Sequence, residues 1–157
     1  MLDVCAQLAE RLLRLNWMLV TAESCTGGMI ASRCTDLAGS SAWFDRGFVT
    51  YSNAAKMQML GVHEALIDVH GAVSEPVARA MALGAVYQAQ ASVSVAVTGI
   101  AGPSGGSPDK PVGTVWLAWC IEGRVSAQCQ RFAGDRRAIR EATTLHALHG
   151  LLERLPH

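Results

Sequence analysis

The chain has 157 residues, of which 50% are hydrophobic and 17% charged, and its formal net charge is zero. This is the balance of one compact domain covering 1–157; it excludes a disordered chain and gives nucleic acid or an anionic membrane no electrostatic hold. With no apolar run of bilayer length, no secretory leader and five cysteines that form no CxxC pair, the expectation is a cytoplasmic protein with reduced thiols and no structural zinc.

Residues 3–15 place Val4, Cys5, Leu8, Leu12 and Leu15 at helical spacing, with Glu10, Arg11 and Arg14 off that stripe, and predict an amphipathic helix. The apolar run Trp17-Met18-Leu19-Val20 predicts a strand. It leads into Thr21-Ala22-Glu23-Ser24-Cys25-Thr26-Gly27-Gly28, a tight polar turn before a helix over 29–34. Such a unit aims backbone N–H groups and the positive end of a helix dipole at the turn. Residues 35–42 are loop-like, with Ser40 and Ser41 either ligand donors or plain turn residues.

A second strand is predicted over 47–52, then Asn53 as a cap, a short helix over 54–60, and Gly61 at its end. Lys56 lies in the first turn of that helix, where the dipole disfavours a cation. A short helical segment over 63–70 stops at Gly71. Ser74-Glu75-Pro76 opens a longer helix running to about Gln90, whose face of Ala78, Met81, Ala82, Ala85 and Val86 suits close packing on a sheet. Residues 92–98 alternate valine with small residues and predict a strand that empties into a Gly/Pro-rich loop over 99–113. Lys110 in that loop precedes proline and fails the phosphate-loop pattern. A strand over 114–121, the turn Glu122-Gly123 and a strand over 124–132 form a hairpin. Gly134-Asp135 introduces a final helix with Arg136, Arg137 and Arg140 in its first two turns. This order predicts an α/β fold, a layered α/β/α sandwich on a mixed sheet with a late antiparallel hairpin.

Ligands of such sheets gather beyond the carboxyl ends of the strands. Three polar clusters follow strands here, over 23–28, 51–56 and 98–113, and are expected to converge on one crevice. They supply the hydroxyl of Ser24, the amine of Lys56, the phenol of Tyr51 and the hydroxyl of Thr98. None contains a histidine, so a Ser–His–Asp triad is not suggested. A serine nucleophile needs a base, and a lysine serves when burial lowers its pKa. The N–H groups at Thr26-Gly27-Gly28 are then candidate donors to an oxyanion, with the two glycines admitting a ligand close to the backbone. The same residues also read as a capped helix with a glycine-rich entrance and a solvated lysine. Cys25 is open as a nucleophile or as a small buried apolar residue.

The segments TAESCTGGMIAS, DLAGSSAWFDRGFVTYSNAAK, LGV, GAVSEPVA, VTGIAGPSGGSPDKPVGTVW and FAGDR resemble the C-terminal domain of the CinA (competence/damage-inducible) family, the stand-alone nicotinamide-nucleotide amidohydrolases. The resemblance covers nearly the whole chain, with no departure at the motif residues. Larger members carry a further N-terminal domain; this sequence starts directly with the amidohydrolase-like domain, and the stand-alone enzyme is expected.

The resemblance implies hydrolysis of the carboxamide of nicotinamide mononucleotide to nicotinate mononucleotide and ammonia, in pyridine-nucleotide recycling toward NAD. It implies a serine–lysine mechanism without metal or cofactor. Ser24 would be the nucleophile, Lys56 the general base, and Tyr51 an assistant by hydrogen bonding or proton relay. Thr98 and the loop carrying Gly99, Gly102 and Gly105 would line the site, with Glu23, Thr26, Gly27 and Gly28 as substrate-binding residues of the first turn. Ser41 would bind substrate or orient Lys56; since Ser24 and Ser41 both sit in matching motifs, the choice of nucleophile stays open. Arg136, Arg137 and Arg140 are candidates for the substrate's phosphate, against a plain solvated helix face. A homodimer is implied as well. The competing reading is a non-catalytic nucleotide-binding or regulatory module of the same family. The intact set of Ser24, Lys56, Tyr51 and Thr98 favours the enzyme, and the failed phosphate-loop pattern weakens phosphate transfer.

Overall fold

Helix α1 (Val4–Leu15) begins where the Asp3 side chain accepts from the Cys5 N–H and ends at Asn16 in the left-handed region. The computed structural model describes residues 3–157. After α1 come β1 (Leu19–Glu23), α2 (Met29–Thr35), a 3-10 turn over Ser40–Ala42, β2 (Phe44–Val49), α3 (Asn53–Leu60), α4 (Glu64–His70), α5 (Glu75–Ala89), β3 (Val93–Gly99), β4 (Thr114–Ile121), β5 (Arg124–Arg131) and α6 (Arg136–Arg154).

The five strands form one sheet in the order β2-β1-β3-β4-β5. β1 runs parallel to both β2 and β3, and β4 and β5 are antiparallel additions. The hairpin turn places Glu122 and Gly123 at φ 50 and 82, the backbone pair that a two-residue loop between twisted strands requires. The result is the expected three-layer mixed α/β sandwich.

Strand alternation sorts the core into two slabs. Leu19, Val93, Val95, Val97, Val115, Leu117 and Trp119 face α1, α2 and α6. Val20, Ala22, Ala96, Ala118 and Cys120 face α5, where Val77, Ala78, Met81, Ala82 and Ala85 close the slab. The small residues on this second face let α5 approach closely, as the sequence predicts. β1 is buried along its whole length. It is the central parallel strand, so the turn beyond its carboxyl end is held on both sides.

Several boundaries differ from the sequence expectation. β1 continues through Thr21, Ala22 and Glu23, which the sequence pattern places in the turn, because β2 and β3 flank it and extend its ladder. β2 starts at Phe44 and ends before Thr50. Ser52 rather than Asn53 caps α3, its hydroxyl accepting from the Ala55 N–H at 3.0 Å. Ser74 precedes α5 but donates to the Gly71 carbonyl at 2.7 Å instead of capping. Among the described residues no helix is long and apolar enough to cross a membrane.

Candidate active site

Adjacent residues at the end of β1 go to opposite faces of the sheet. Glu23 points to the α2 side, fully buried. Its Oε1 accepts from Thr26 Oγ1 at 2.6 Å and the Ile30 N–H at 2.9 Å; its Oε2 accepts from the Ala31 N–H at 3.0 Å and Thr21 Oγ1 at 3.4 Å. Gly28, at the cap position of α2, has no side chain to do this. The strand therefore caps the helix that follows it, and a protein carboxylate occupies the positive end of α2.

In that arrangement the Glu23 and Thr26 side chains, expected to bind substrate, have partners within the protein. Glu23 and Thr26 satisfy one another and the helix. Gly27 and Gly28 have φ values of +58 and +104, which the turn requires. A β-carbon on Gly27 would lie 3.4 Å from an Arg140 guanidinium nitrogen, and one on Gly28 would lie 3.5 Å from Val49 Cγ2. Arg140 itself holds the turn from α6, donating to the carbonyls of Cys25 at 3.0 Å and Thr26 at 3.2 Å.

Ser24 points the other way, toward α3. Lys56 Nζ lies 3.1 Å from Ser24 Oγ and 3.3 Å from the Tyr51 carbonyl oxygen, and Ser24 Oγ lies 3.4 Å from that same carbonyl. Lys56 is 2% exposed. Among the described residues no carboxylate comes within ion-pair distance of it. Burial without a counter-charge pushes its pKa below the ordinary lysine value; the Cys25 thiol opposes this weakly. A lysine in the first turn of α3 is also disfavoured by the dipole, in the same direction. The Tyr51 carbonyl ties the pair together, since it accepts from either partner whichever one holds the proton.

Ser24, Tyr51, Asn53, Lys56, Thr98 and Arg136, with the backbone of Gly99, Gly102 and Gly105, line a cleft of about 320 Å³ at the carboxyl ends of β1, β2 and β3. The three polar clusters do converge. Thr98 Oγ1 donates to the Ala72 carbonyl at 2.9 Å, tying β3 to the segment before α5. Arg136 donates to the Gly102 carbonyl at 2.8 Å and to the Tyr51 hydroxyl at 2.9 Å, so one guanidinium fixes the loop and the phenol together at the cleft mouth. Gly99 packs where a β-carbon would lie 2.6 Å from Val115 Cγ2, and Gly102 needs φ +78. The long loop is pinned again by Lys110, which donates to the His70 carbonyl at the end of α4 at 2.9 Å.

Three expected site residues lie elsewhere. Ser41 sits in the exposed 3-10 turn before β2, at the amino end of the parallel strands. The length of β1 separates that end from Ser24, roughly 15 Å, so within this chain Ser41 neither reaches Lys56 nor competes with Ser24. Arg137 is exposed and paired with Glu141 at 3.0 Å. Arg140 stands behind the turn. Cys25 is 5% exposed in the core, and burial pushes its thiol up to about 11, which leaves it protonated and a poor nucleophile.

Two contributors carry no motif signal. A backbone carbonyl, that of Tyr51, is invisible to residue type. Thr50 has the sequence character of an ordinary strand residue, yet it is fully buried and its Oγ1 is the buried side-chain polar atom without a hydrogen-bond partner among the described residues. Such a group costs about 1–3 kcal/mol. Larger hollows, such as one of about 420 Å³ between α2 and α6, are not lined by Ser24, Lys56 or Thr98.

Comparison with known proteins gives the family and the fold. The CinA C-terminal domain family matches residues 2–155. The nicotinamide-nucleotide amidohydrolase PncC of Escherichia coli K12 is 51% identical over 154 residues, covering 96% of this chain and 92% of that protein. The protein of the same name from Enterobacter agglomerans is 56% identical over 138 residues, covering 87% and 84%. The crystal structure of competence damage-inducible protein A from Klebsiella pneumoniae superposes with a TM-score of 0.95 at 40% identity, covering 98% of this chain and 96% of that one. The competence/damage inducible protein CihA from Agrobacterium tumefaciens gives 0.90 at 48% identity over 98% and 96%. This chain belongs to the CinA C-terminal domain family.

Proposed function

We propose that the protein is a nicotinamide-nucleotide amidohydrolase that converts nicotinamide mononucleotide and water to nicotinate mononucleotide and ammonia, with Ser24 and Lys56 as a serine–lysine dyad. The observation that carries this reading is the buried Lys56 amine, 3.1 Å from Ser24 Oγ and, among the described residues, without a carboxylate partner. Burial lowers the pKa of a lysine in that setting, the direction that a general base for a serine hydroxyl requires. The names of the similar PncC proteins supply the substrate class.

The steps balance with one shuttled proton. Lys56 takes the Ser24 proton as Oγ bonds to the amide carbon and the carbonyl π pair moves onto oxygen. The N–H groups of Cys25 and Thr26, which make no backbone hydrogen bond among the described residues, are the nearest candidate donors to that oxyanion. The intermediate collapses with the C–N bond pair going to nitrogen, and Lys56 returns its proton there, so ammonia leaves. Water then adds to the acyl-serine as Lys56 accepts its proton, and Lys56 reprotonates Ser24 as the carboxylic acid departs. An electron-poor pyridinium ring makes the amide carbon receptive. Arg136, at the cleft mouth, would meet the phosphate by exchanging its protein partners, the Gly102 carbonyl and the Tyr51 hydroxyl, for phosphate oxygens. The product would return to NAD synthesis.

The test is ammonia release from nicotinamide mononucleotide by the purified protein and by Ser24→Ala, Ser41→Ala and Lys56→Met variants. Expected is release by wild type and Ser41→Ala, with a loss of about 1,000-fold or more in the other two. Nucleotide binding without release by wild type would instead support a non-catalytic module.

A further inference from the structure

The ends of β2, β1 and β3 carry a row of three hydroxyls on one face. Glu23 pairs in register with Val49 on one side and Val97 on the other. The ladder continues one step, with the Thr50 N–H donating to the Glu23 carbonyl at 2.8 Å and the Ser24 N–H to the Val97 carbonyl at 3.1 Å. The next residues across are therefore Thr50, Ser24 and Thr98. Ala22, Phe48 and Ala96 lie two residues earlier and pack in the α5-side slab, so by alternation the three hydroxyls share the face on which Lys56 sits. Thr50 reaches this face because the β1–β2 register shifts at Asp45. Phe44 before the shift packs on the α2 side, and Phe48 after it on the α5 side.

Two members of the row are used. Ser24 meets Lys56 and the Tyr51 carbonyl; Thr98 donates to the Ala72 carbonyl. Thr50 Oγ1 is fully buried and has no partner among the described residues. Lys56 shows the complementary surplus. As an ammonium it carries three N–H donors, and among the described residues only Ser24 Oγ and the Tyr51 carbonyl receive them. We propose that Thr50 Oγ1 accepts the third Lys56 N–H when Lys56 takes up the Ser24 proton, making Thr50 a positioning residue for the dyad. The hydroxyl is idle while the amine is neutral and becomes an acceptor as charge appears on nitrogen, which is where a contribution specific to the transition state must act. The other titratable or charged groups around Lys56 are the protonated Cys25 thiol, the Tyr51 phenol and Arg136 at the mouth; Glu23 is turned to α2. None is an anion that supplies the missing acceptor.

The proposal rests on the amidohydrolase reading for its kinetics but not for its titration. Lys56 and Lys110 are the two lysines of the chain, so lysine labelled with carbon-13 at Cε gives two signals, assigned with Lys56→Met. Thr50→Val keeps the shape and removes the hydroxyl; Thr50→Ser keeps the oxygen. The expected result is a Lys56 midpoint about 0.5–1 pH unit lower in Thr50→Val and unchanged in Thr50→Ser, since losing an acceptor for the ammonium disfavours the charged form. The acid limb of kcat/KM moves down with it, kcat falls about tenfold and KM stays. Thr50→Val should melt no lower than wild type, because it removes an unsatisfied polar atom. An unchanged midpoint in Thr50→Val overturns the proposal, and so does a clear loss of stability there, which would mean that the hydroxyl already has a structural partner. If wild type releases no ammonia while the midpoint still moves with Thr50, the amidohydrolase reading falls and the Thr50–Lys56 link stands. Ammonia release with an immobile midpoint keeps the amidohydrolase reading and removes the link.

Discussion

Replacing Glu23 by glutamine removes one oxygen from a carboxylate that serves four donors. If the remaining oxygen keeps Thr26 Oγ1 and the Ile30 N–H, the new amide nitrogen faces the Ala31 N–H, which stood 3.0 Å from Oε2, donor against donor. The loss of that charge-assisted hydrogen bond is about 1.5–3 kcal/mol, and stranding a buried N–H adds about 1–3 kcal/mol. Allowing for overlap between the two, the variant should be destabilised by about 3–5 kcal/mol. In a domain of this size that lowers Tm by roughly 6–20 °C. Thermal unfolding at pH 7 followed by circular dichroism reads this directly. Below the melting transition KM should stay within about threefold of wild type, because the carboxylate faces α2 and lines no part of the cleft. A Tm within about 2 °C of wild type would refute the capping account, and a large rise in KM with Tm intact would restore the substrate-binding role that the sequence suggests.

Lys56→Met should abolish turnover while raising Tm, because it removes a buried cation that has no counter-charge. With a folded pKa below the ordinary 10.5, the unfolded chain holds this proton more tightly, so wild-type stability is reduced in full below the folded value and recovers as pH rises toward 10.5. The Tm gain of Lys56→Met should therefore be largest at neutral pH and shrink in alkaline buffer; a gain that grows with pH contradicts the assignment. In the same sense, kcat/KM should rise with pH through the lowered Lys56 value, and a flat profile across neutral to alkaline pH would count against lysine as the base. Cys25→Ala should keep turnover within about threefold and cost about 1 kcal/mol of stability by urea unfolding, as expected of a small buried side chain; loss of turnover would reopen Cys25 as a nucleophile.

The architecture and the convergence of three loops were legible because they depend on periodicity and on strand ends, which residue types report well. Valine alternation over 92–98 and the Glu122-Gly123 turn each specified their element within a residue or two. What escaped the sequence were choices between faces and ends. Ser41 shares its neighbourhood in the motif with Lys56, but the chain between them runs the length of β2, and proximity in sequence says nothing about which end of a strand a residue occupies. Arg136 and Arg140 are one helical turn apart and have similar helix positions; only packing separates the one at the cleft mouth from the one behind the turn. Thr50 could not be read at all, because the register shift at Asp45 decides its face, and no local pattern marks that shift.

The same alternation explains how one short turn meets two opposed demands. A helix that starts five residues after Ser24 presents unpaired N–H groups whose field favours negative charge and penalises a cation. Left open, that field would stabilise a bound anion but would also act on whatever group shares the pocket. Glu23 and Ser24 resolve this because a strand sends neighbouring side chains to opposite faces. The carboxylate goes to α2 and satisfies its N-terminus, and the hydroxyl goes to α3 and meets the amine. If instead the strand ended one residue earlier, both side chains would enter a turn, where the carboxylate could reach Lys56. A Glu–Lys ion pair there would raise the lysine pKa and hold it as ammonium. The extension of β1 through Glu23, which the sequence pattern alone places in the turn, is thus what keeps the only acid in the motif away from Lys56.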